Sequence, residues 1–221
     1  MGRQITPPGH HRVEQGDYLA KLAKWYGVPK WQTIWEHGQN AELRQSRKSP
    51  HVLLPGDQIL IPEVSPKEES CATEKKHRFK LIQQLMKYRM KLLDGNNDPR
   101  PNVKYELIVD GESFSGLRFE GQTDGGGKLE HELPNDAENG LLQLEEMTLR
   151  LCIGHLDPLD EITGQQARLK NLGYYQGEVD GIDGPELRQA IEAFQTDYFP
   201  TQVDGEYNSQ TKSKLRDLYG C

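Results

Sequence analysis

The spacing of apolar residues changes period twice along this chain. Early on it is helical: Leu19, Leu22, Ala23 and Tyr26 recur at i, i+3, i+4 and i+7. Gly16-Asp17 ahead of them is a turn signal, with Asp17 placed to cap the helix. Gly27 behind them suits the left-handed position that ends a helix. Pro29 suits the first turn of a second helix, in which Trp31, Ile34 and Trp35 share an inner face. Ala41 and Leu43 sit in the segment after it. Val13 opens a short strand before the first helix. Pro55-Gly56-Asp57 turns the chain into a closing strand, Gln58–Ile61, ended by Pro62. Residues 1–10 read as a disordered lead, and 64–76, rich in Pro, Glu, Ser and Lys, as a linker.

From His77 to Leu93 two periods compete. Phe79, Ile82, Met86, Met90 and Leu93 make a passable helical stripe. Met86, Tyr88, Met90 and Leu92, alternating with Lys87, Arg89 and Lys91, have strand spacing. We take the strand, ended by the hairpin signal Asp94-Gly95. Strands are predicted at 103–109, 113–119, 128–133, 141–144 and 147–153, with turns at Asp110-Gly111 and Asp124–Gly127. Short strands with frequent turns predict a β-sandwich.

Beyond Asp157 the period is helical again. Ile162, Leu169 and Leu172 mark a helix ended by Gly173. Leu187, Ala190, Ile191 and Phe194 mark one begun by Gly184-Pro185. Leu215 and Leu218 mark a third, capped by Asn208 or Ser209. This region repeats itself: Val179-Asp180-Gly181 and Val203-Asp204-Gly205 each form a tight turn feeding a helix.

Composition narrows the picture. With 34% hydrophobic and 28% charged residues in 221, several small cores fit better than one large core. A net charge of -7 argues against non-specific nucleic-acid binding, which needs clustered Lys and Arg. Cys71, Cys152 and Cys221 are odd in number and widely spaced, which is no disulfide framework. The N-terminus lacks the apolar stretch of an export signal, and no segment approaches a membrane span. The expectation is a protein made in the cytoplasm with no membrane partner.

Two stretches resemble known families. Gly16-Asp17-Tyr18-Leu19, Ala23-Lys24-Trp25-Tyr26-Gly27-Val28 and Leu54-Pro55-Gly56-Asp57-Gln58-Ile59-Leu60-Ile61-Pro62 resemble the LysM module, a βααβ unit that binds N-acetylglucosamine polymers. The resemblance implies a glycan groove between Gly16, Asp17, Tyr18 and Leu19 on one side and Pro50, His51, Val52 and Leu53 on the other. Tyr18 stands where the family usually has Thr, so it either adds a stacking surface or fills the groove. The run Trp31–His37, Asn40–Leu43 and Val52–Asp57 resembles LysM modules that accompany type VI secretion spike and toxin proteins. In the tail, Gln166, Leu169, Leu172-Gly173-Tyr174, Gly177, Val179-Asp180-Gly181, Gly184-Pro185, Ala190, Phe194-Gln195 and Val203-Asp204-Gly205 resemble the three-helix peptidoglycan-binding family, with Leu187 replacing its usual Thr. That resemblance implies a second wall-binding surface near Tyr174, Tyr175 and Asp180. The middle, 77–156, resembles immunoglobulin- or transthyretin-like sandwiches.

Candidate chemistry outside these motifs is sparse. Trp25, Tyr26, Trp31 and Trp35 either stack on sugars or, as helical spacing favours, pack in a core. Cys152 and His155 are close, but the motif of wall-linking transpeptidases is absent, and Cys152 is expected as a small buried residue. His10-His11 and His131-Glu132 lack a second cluster at ligand spacing. Glu145-Glu146, and Glu130 with Glu132, would need opposed environments to serve as an acid and base; alternation puts the latter pair on one solvated face. The basic run Lys75, Lys76, Arg78, Lys80, Lys87, Arg89, Lys91 reads as a solvated face or an acidic-partner dock.

The expected protein is α+β and multidomain: LysM at 11–63, linker at 64–76, sandwich at 77–156 and three-helix bundle at 157–221. Its expected role is non-catalytic, with no cofactor or metal. Its expected partners are peptidoglycan or a chitin-like oligosaccharide, and a secretion spike or toxin protein. The rival expectation is a docking adaptor or chaperone whose wall-binding folds no longer hold sugar.

Overall fold

The computed structural model describes residues 6–65, 74–76, 85–96, 98–145 and 147–219. The sequence candidates Cys71, Arg78, Phe79, Lys80, Ile82, Glu146 and Cys221 lie outside the described residues. The chain divides into two compact units: 1–11, 19–41 and 58–153 form the first, and 12–18, 42–57 and 154–221 the second. Segments of the stretch 11–63 therefore belong to both units.

In the first unit, strand β1, Gly9–Arg12, pairs with β2, Gln58–Ile61. The strand lies ahead of Val13 and begins in what the sequence reads as a lead, residues 1–10. Pairing and burial override the weak strand propensity of Gly-His-His: His11 is buried, with Nδ1 2.9 Å from the Tyr26 hydroxyl. Between the strands the chain runs through α1, Leu19–Trp25; α2, Trp31–Trp35; a 3₁₀ turn, Gly38–Asn40; and a third helix, α3, Ala41–Arg47, which belongs to the second unit from Glu42 on; the sequence predicts two helices there. Of the predicted inner face of α2 only Ile34 is fully buried; Trp31 and Trp35 are half-buried. Buried Asn40 ties the following turn to β2. Its amide donates to Ile34 O at 2.8 Å and Leu60 O at 2.9 Å, and its Oδ1 accepts from Leu60 N at 2.8 Å.

The rest of the first unit is all-β: β3, Leu85–Lys91; β4, Lys104–Gly111; β5, Phe114–Gln122; β6, Lys128–Pro134; β7, Ala137–Leu144; β8, Thr148–Cys152. Strands β3 and β6 pair antiparallel, and β5-β4-β7-β8 form a four-stranded antiparallel sheet. Leu107, Val109 and Leu142 of the larger sheet share a core with Leu129 and Leu133 of the smaller. The ambiguous run is thus a strand over 85–91. Its outward Lys87 and Arg89 meet Glu130 across the pair, at 3.3 and 2.7 Å. On this strand the pair lies on a solvated face, where the single carboxylate of the neighbouring strand offsets part of their charge. Helix α1 is fastened to the sandwich by polar side chains. Lys21 pairs with Glu138 at 2.8 Å, Lys24 with buried Asp136 at 2.5 Å and with Ser113 Oγ at 2.8 Å, and the Trp25 indole donates to Glu112. Trp25 therefore spends its polar edge on a carboxylate.

The second unit holds α4, Ile162–Asn171; α5, Pro185–Tyr198; and α6, Ser209–Tyr219. Leu159, Leu169, Tyr175, Leu187, Ala190, Ile191, Phe194 and Leu215 form their core. Leu187 is 2% exposed, so the residue that departs from the family pattern is a packing residue. Gly173, at φ +85, stops α4 in the left-handed region. Asn208 caps α6, its Oδ1 accepting from Gln210 N and Thr211 N at 3.1 and 2.9 Å. A Cβ on Gly164 would stand 1.9 Å from Pro158 O, so no other residue fits there. Arg168 is fully buried and donates from one guanidinium nitrogen to Asp157 O and Gly164 O at 2.7 and 2.8 Å.

Candidate functional site

The loops assigned to sugar by the LysM resemblance are largely covered. Gly16, Asp17, Tyr18, Leu19, Val52 and Leu53 are buried, Pro50 is half-buried and His51 exposed. Within the second unit the loop before α1 is occupied by Gly154 and His155. The Gln15 amide donates to His155 O at 2.9 Å, and a Cβ on Gly16 would lie 3.0 Å from the His155 ring. A Cβ on Gly154 would lie 2.7 Å from the Tyr18 ring, and Gly154 holds φ +81, so glycine lets the phenol close against the backbone. The Asp17 carboxylate turns back to accept from Glu14 N at 2.8 Å. The turn after Leu53 is held by Asp57, which takes Arg47 at 2.7 and 2.8 Å and Leu54 N at 3.0 Å.

The remaining sequence candidates have ordinary surroundings. Cys152 is exposed, contrary to expectation, because it ends edge strand β8 on an outward position. His131 Nε2 lies 2.9 Å from the Tyr105 hydroxyl, and burial lowers its pKa. Glu130 and Glu132 are both exposed on one face of β6. Hydrogen bonds from Arg89 and Lys87 hold the Glu130 carboxyl below its usual range. Glu145 borders an open hollow with Glu106 and Glu120, and Glu106 is paired with Arg118. Among the described residues no three His, Cys, Asp or Glu side chains gather as a metal-binding group.

The most elaborate construction is in the helical unit, on the internal repeat. Gln166 of α4 reaches the first Asp-Gly loop: its amide donates to Asp180 Oδ1 at 2.8 Å and Ile182 O at 3.2 Å, and its Oε1 accepts from Gly181 N at 2.9 Å. Gln195 of α5 does the same at the second loop. Its amide donates to Asp204 Oδ1 at 2.8 Å and Glu206 O at 3.0 Å, and its Oε1 accepts from Gly205 N at 2.9 Å. In each loop the aspartate also accepts from the amide two residues on, at 2.9 Å. Both glutamines are 0% exposed. These hydrogen bonds, led by the Ile182 and Glu206 amides, lower the pKa of Asp180 and Asp204. Each loop is thus a rigid, doubly clasped turn on a helix.

Of the three residues predicted as a second surface, the structure brings two together. Tyr175 is buried, and its hydroxyl donates to Glu178 O at 3.0 Å and meets Gln166 at 3.2 Å, beside exposed Asp180. Tyr174 is turned elsewhere: its hydroxyl donates to Asp197 at 2.7 Å and its ring meets Phe194 edge-on. Both phenols have raised pKa values, chiefly from burial. The clasping role of the glutamines is not visible from composition, since Gln on a helix usually faces water. The signal that could have found it is the recurrence of Gln ahead of each Asp-Gly.

Residues 160–215, which contain both clasps, match the family described as "Putative peptidoglycan binding domain". The chain is also 38% identical over 56 residues to the spore cortex-lytic enzyme of Bacillus subtilis (strain 168), a match that covers 25% of this chain and 18% of that enzyme. No solved structure shows a significant match. The helical region is therefore a peptidoglycan-binding domain, built on two clasped Asp-Gly loops.

Proposed function

We propose that the protein is a non-catalytic wall-binding protein that engages peptidoglycan through residues 160–215. The observation that carries this reading is the family match over the same residues that form the two clasped loops. The cortex-lytic relative shares only this region, so it supports a targeting role for the domain and lends no catalytic residue to the rest of the chain. Cosedimentation with purified sacculi tests it: the full chain pellets with sacculi and stays in the supernatant without them. A full chain that remains soluble in their presence refutes the reading. Release of soluble muropeptides from the sacculi by the protein would refute its non-catalytic part.

A second reading concerns the N-terminal stretch. The burial of Tyr18 against Gly154 and the seat of His155 on Gly16 favour a loop that has exchanged sugar binding for protein contact. On this reading the wall is held by the helical domain alone, and the N-terminal region is a docking element of an adaptor. Titration with chitooligosaccharide, followed by the indole and amide resonances of residues 16–31, distinguishes the two. Shifts confined to those residues support a sugar site there; unchanged resonances support the docking element. Association with a secretion spike or toxin rests on the N-terminal resemblance, and copurification from a cell that makes both tests it.

A further inference from the structure

Val179 and Val203 occupy equivalent places, each directly before a clasped Asp-Gly, and both lie in water at 43% and 42% exposure. Ile182, at the far side of the first turn, is 64% exposed. A single exposed aliphatic residue is ordinary; the same one presented twice by a duplicated, internally bonded loop is not. The loops are held by buried glutamines, so their backbone is set before any partner arrives, which lowers the ordering cost of binding.

Resting on the peptidoglycan reading above, we propose that Val179, Ile182 and Val203 form the contact surface for the glycan backbone of peptidoglycan rather than for its stem peptide. Charge selects between the two. Glu178, Asp180 and Asp183 flank the first pair of side chains, and Asp204 and Glu206 flank Val203. Of the nearby cations, Arg188 is engaged by Glu206 at 2.7 Å, and Lys170 donates to Gly177 O at 2.6 Å. Stem peptides carry carboxylates, which this surround repels. Where stem peptide is attached, the lactyl groups of the glycan backbone are amides and the sugar rings are uncharged, presenting C–H faces that aliphatic side chains cover. A polymer with a repeating unit also suits a surface that repeats, because two weak contacts on one ligand reinforce each other.

The test uses the full chain and the variants Val179→Ser, Val203→Ser and the double variant, each checked by thermal melting. Binding is measured to intact sacculi, to chitooligosaccharide as an uncharged N-acetylated glycan, and to free stem peptide. Wild type is expected to bind chitooligosaccharide and sacculi and not free stem peptide. Each single variant loses about threefold and the double about tenfold, close to additive, with unchanged melting. Preference for stem peptide over glycan overturns the proposal, as does a folded double variant that binds like wild type; either leaves the peptidoglycan reading standing. Failure of wild type to bind intact sacculi overturns that reading, and this inference with it.

Discussion

Replacing Gln195 with Met removes a clasp while keeping the volume of a fully buried side chain. The amide nitrogen stands 2.8 Å from Asp204 Oδ1, 3.0 Å from Glu206 O and 3.1 Å from Thr211 Oγ1, and Oε1 accepts from Asp204 N at 3.0 Å and Gly205 N at 2.9 Å. The amide has two hydrogens for three acceptors, so about four bonds count. At about 1 kcal/mol each the loss is about 4 kcal/mol, less what exposed Asp204 N recovers from water; buried Gly205 N recovers nothing. A net loss of about 3 kcal/mol lowers the melting temperature of a domain this small by about 12–24 °C. Helical ellipticity measures the melt, and hydrogen exchange at the Gly205 amide localises it. Gln195→Glu sharpens the test by setting a carboxylate against Asp204. Its folded pKa is then raised above the unfolded value of about 4.3. The variant's stability is fully present below that value and is lost as pH rises, so its gap to wild type narrows from pH 7 to pH 4. A Gln195→Met melt within 5 °C of wild type, equivalent to about 0.6–1.3 kcal/mol, refutes the clasp as a stabilising element. So does a Gln195→Glu gap that widens on acidification.

Gly164→Ala forces a methyl to within 1.9 Å of Pro158 O and is expected to cost about 3 kcal/mol in urea unfolding, the upper range for overpacking. Lys24→Met leaves Asp136, 1% exposed, with Ser113 but without its cation, for a loss of about 2 kcal/mol by the same assay; adding Asp136→Asn recovers part of it. Asp180 and Asp204 have depressed folded pKa values, so their contribution is present above about pH 4 and is lost as pH falls through those folded values. Melts from pH 7 to pH 2 are expected to steepen on the acid side, and Asp180→Asn with Asp204→Asn to flatten that limb.

The helical domain was the most legible part of the chain because its signals are local. Gly173, Pro185 and Asn208 stop and start helices by backbone and capping rules that need no tertiary partner. The sandwich strands were readable from alternation, and the ambiguous run at 85–91 went to the strand because β6 supplies its partner. What escaped depends on contacts far along the chain. Nothing near Gln166 or Gln195 says that each is buried, because their acceptors lie 14 and 9 residues away. Trp31 and Trp35 look like core by helical spacing, yet they begin and end a five-residue helix and are only half-buried. Cys152 looks like core by type, yet the edge position of β8 turns it outward. Tyr18 is the residue whose two readings the sequence left open, and its partner Gly154 is more than a hundred residues distant.

The fastening of α1 to the sandwich bears on how the protein can be dissected. Lys21, Lys24 and Trp25 each spend a polar group on Glu138, Asp136 and Glu112. A fragment cut after residue 63 would carry two bare ammonium groups and a solvent-facing indole, while the complementary fragment would keep a sequestered aspartate stripped of its counter-ion. Neither half would then report the affinity or solubility it has in the intact polypeptide, so the N-terminal region is best interrogated by point changes in the whole chain.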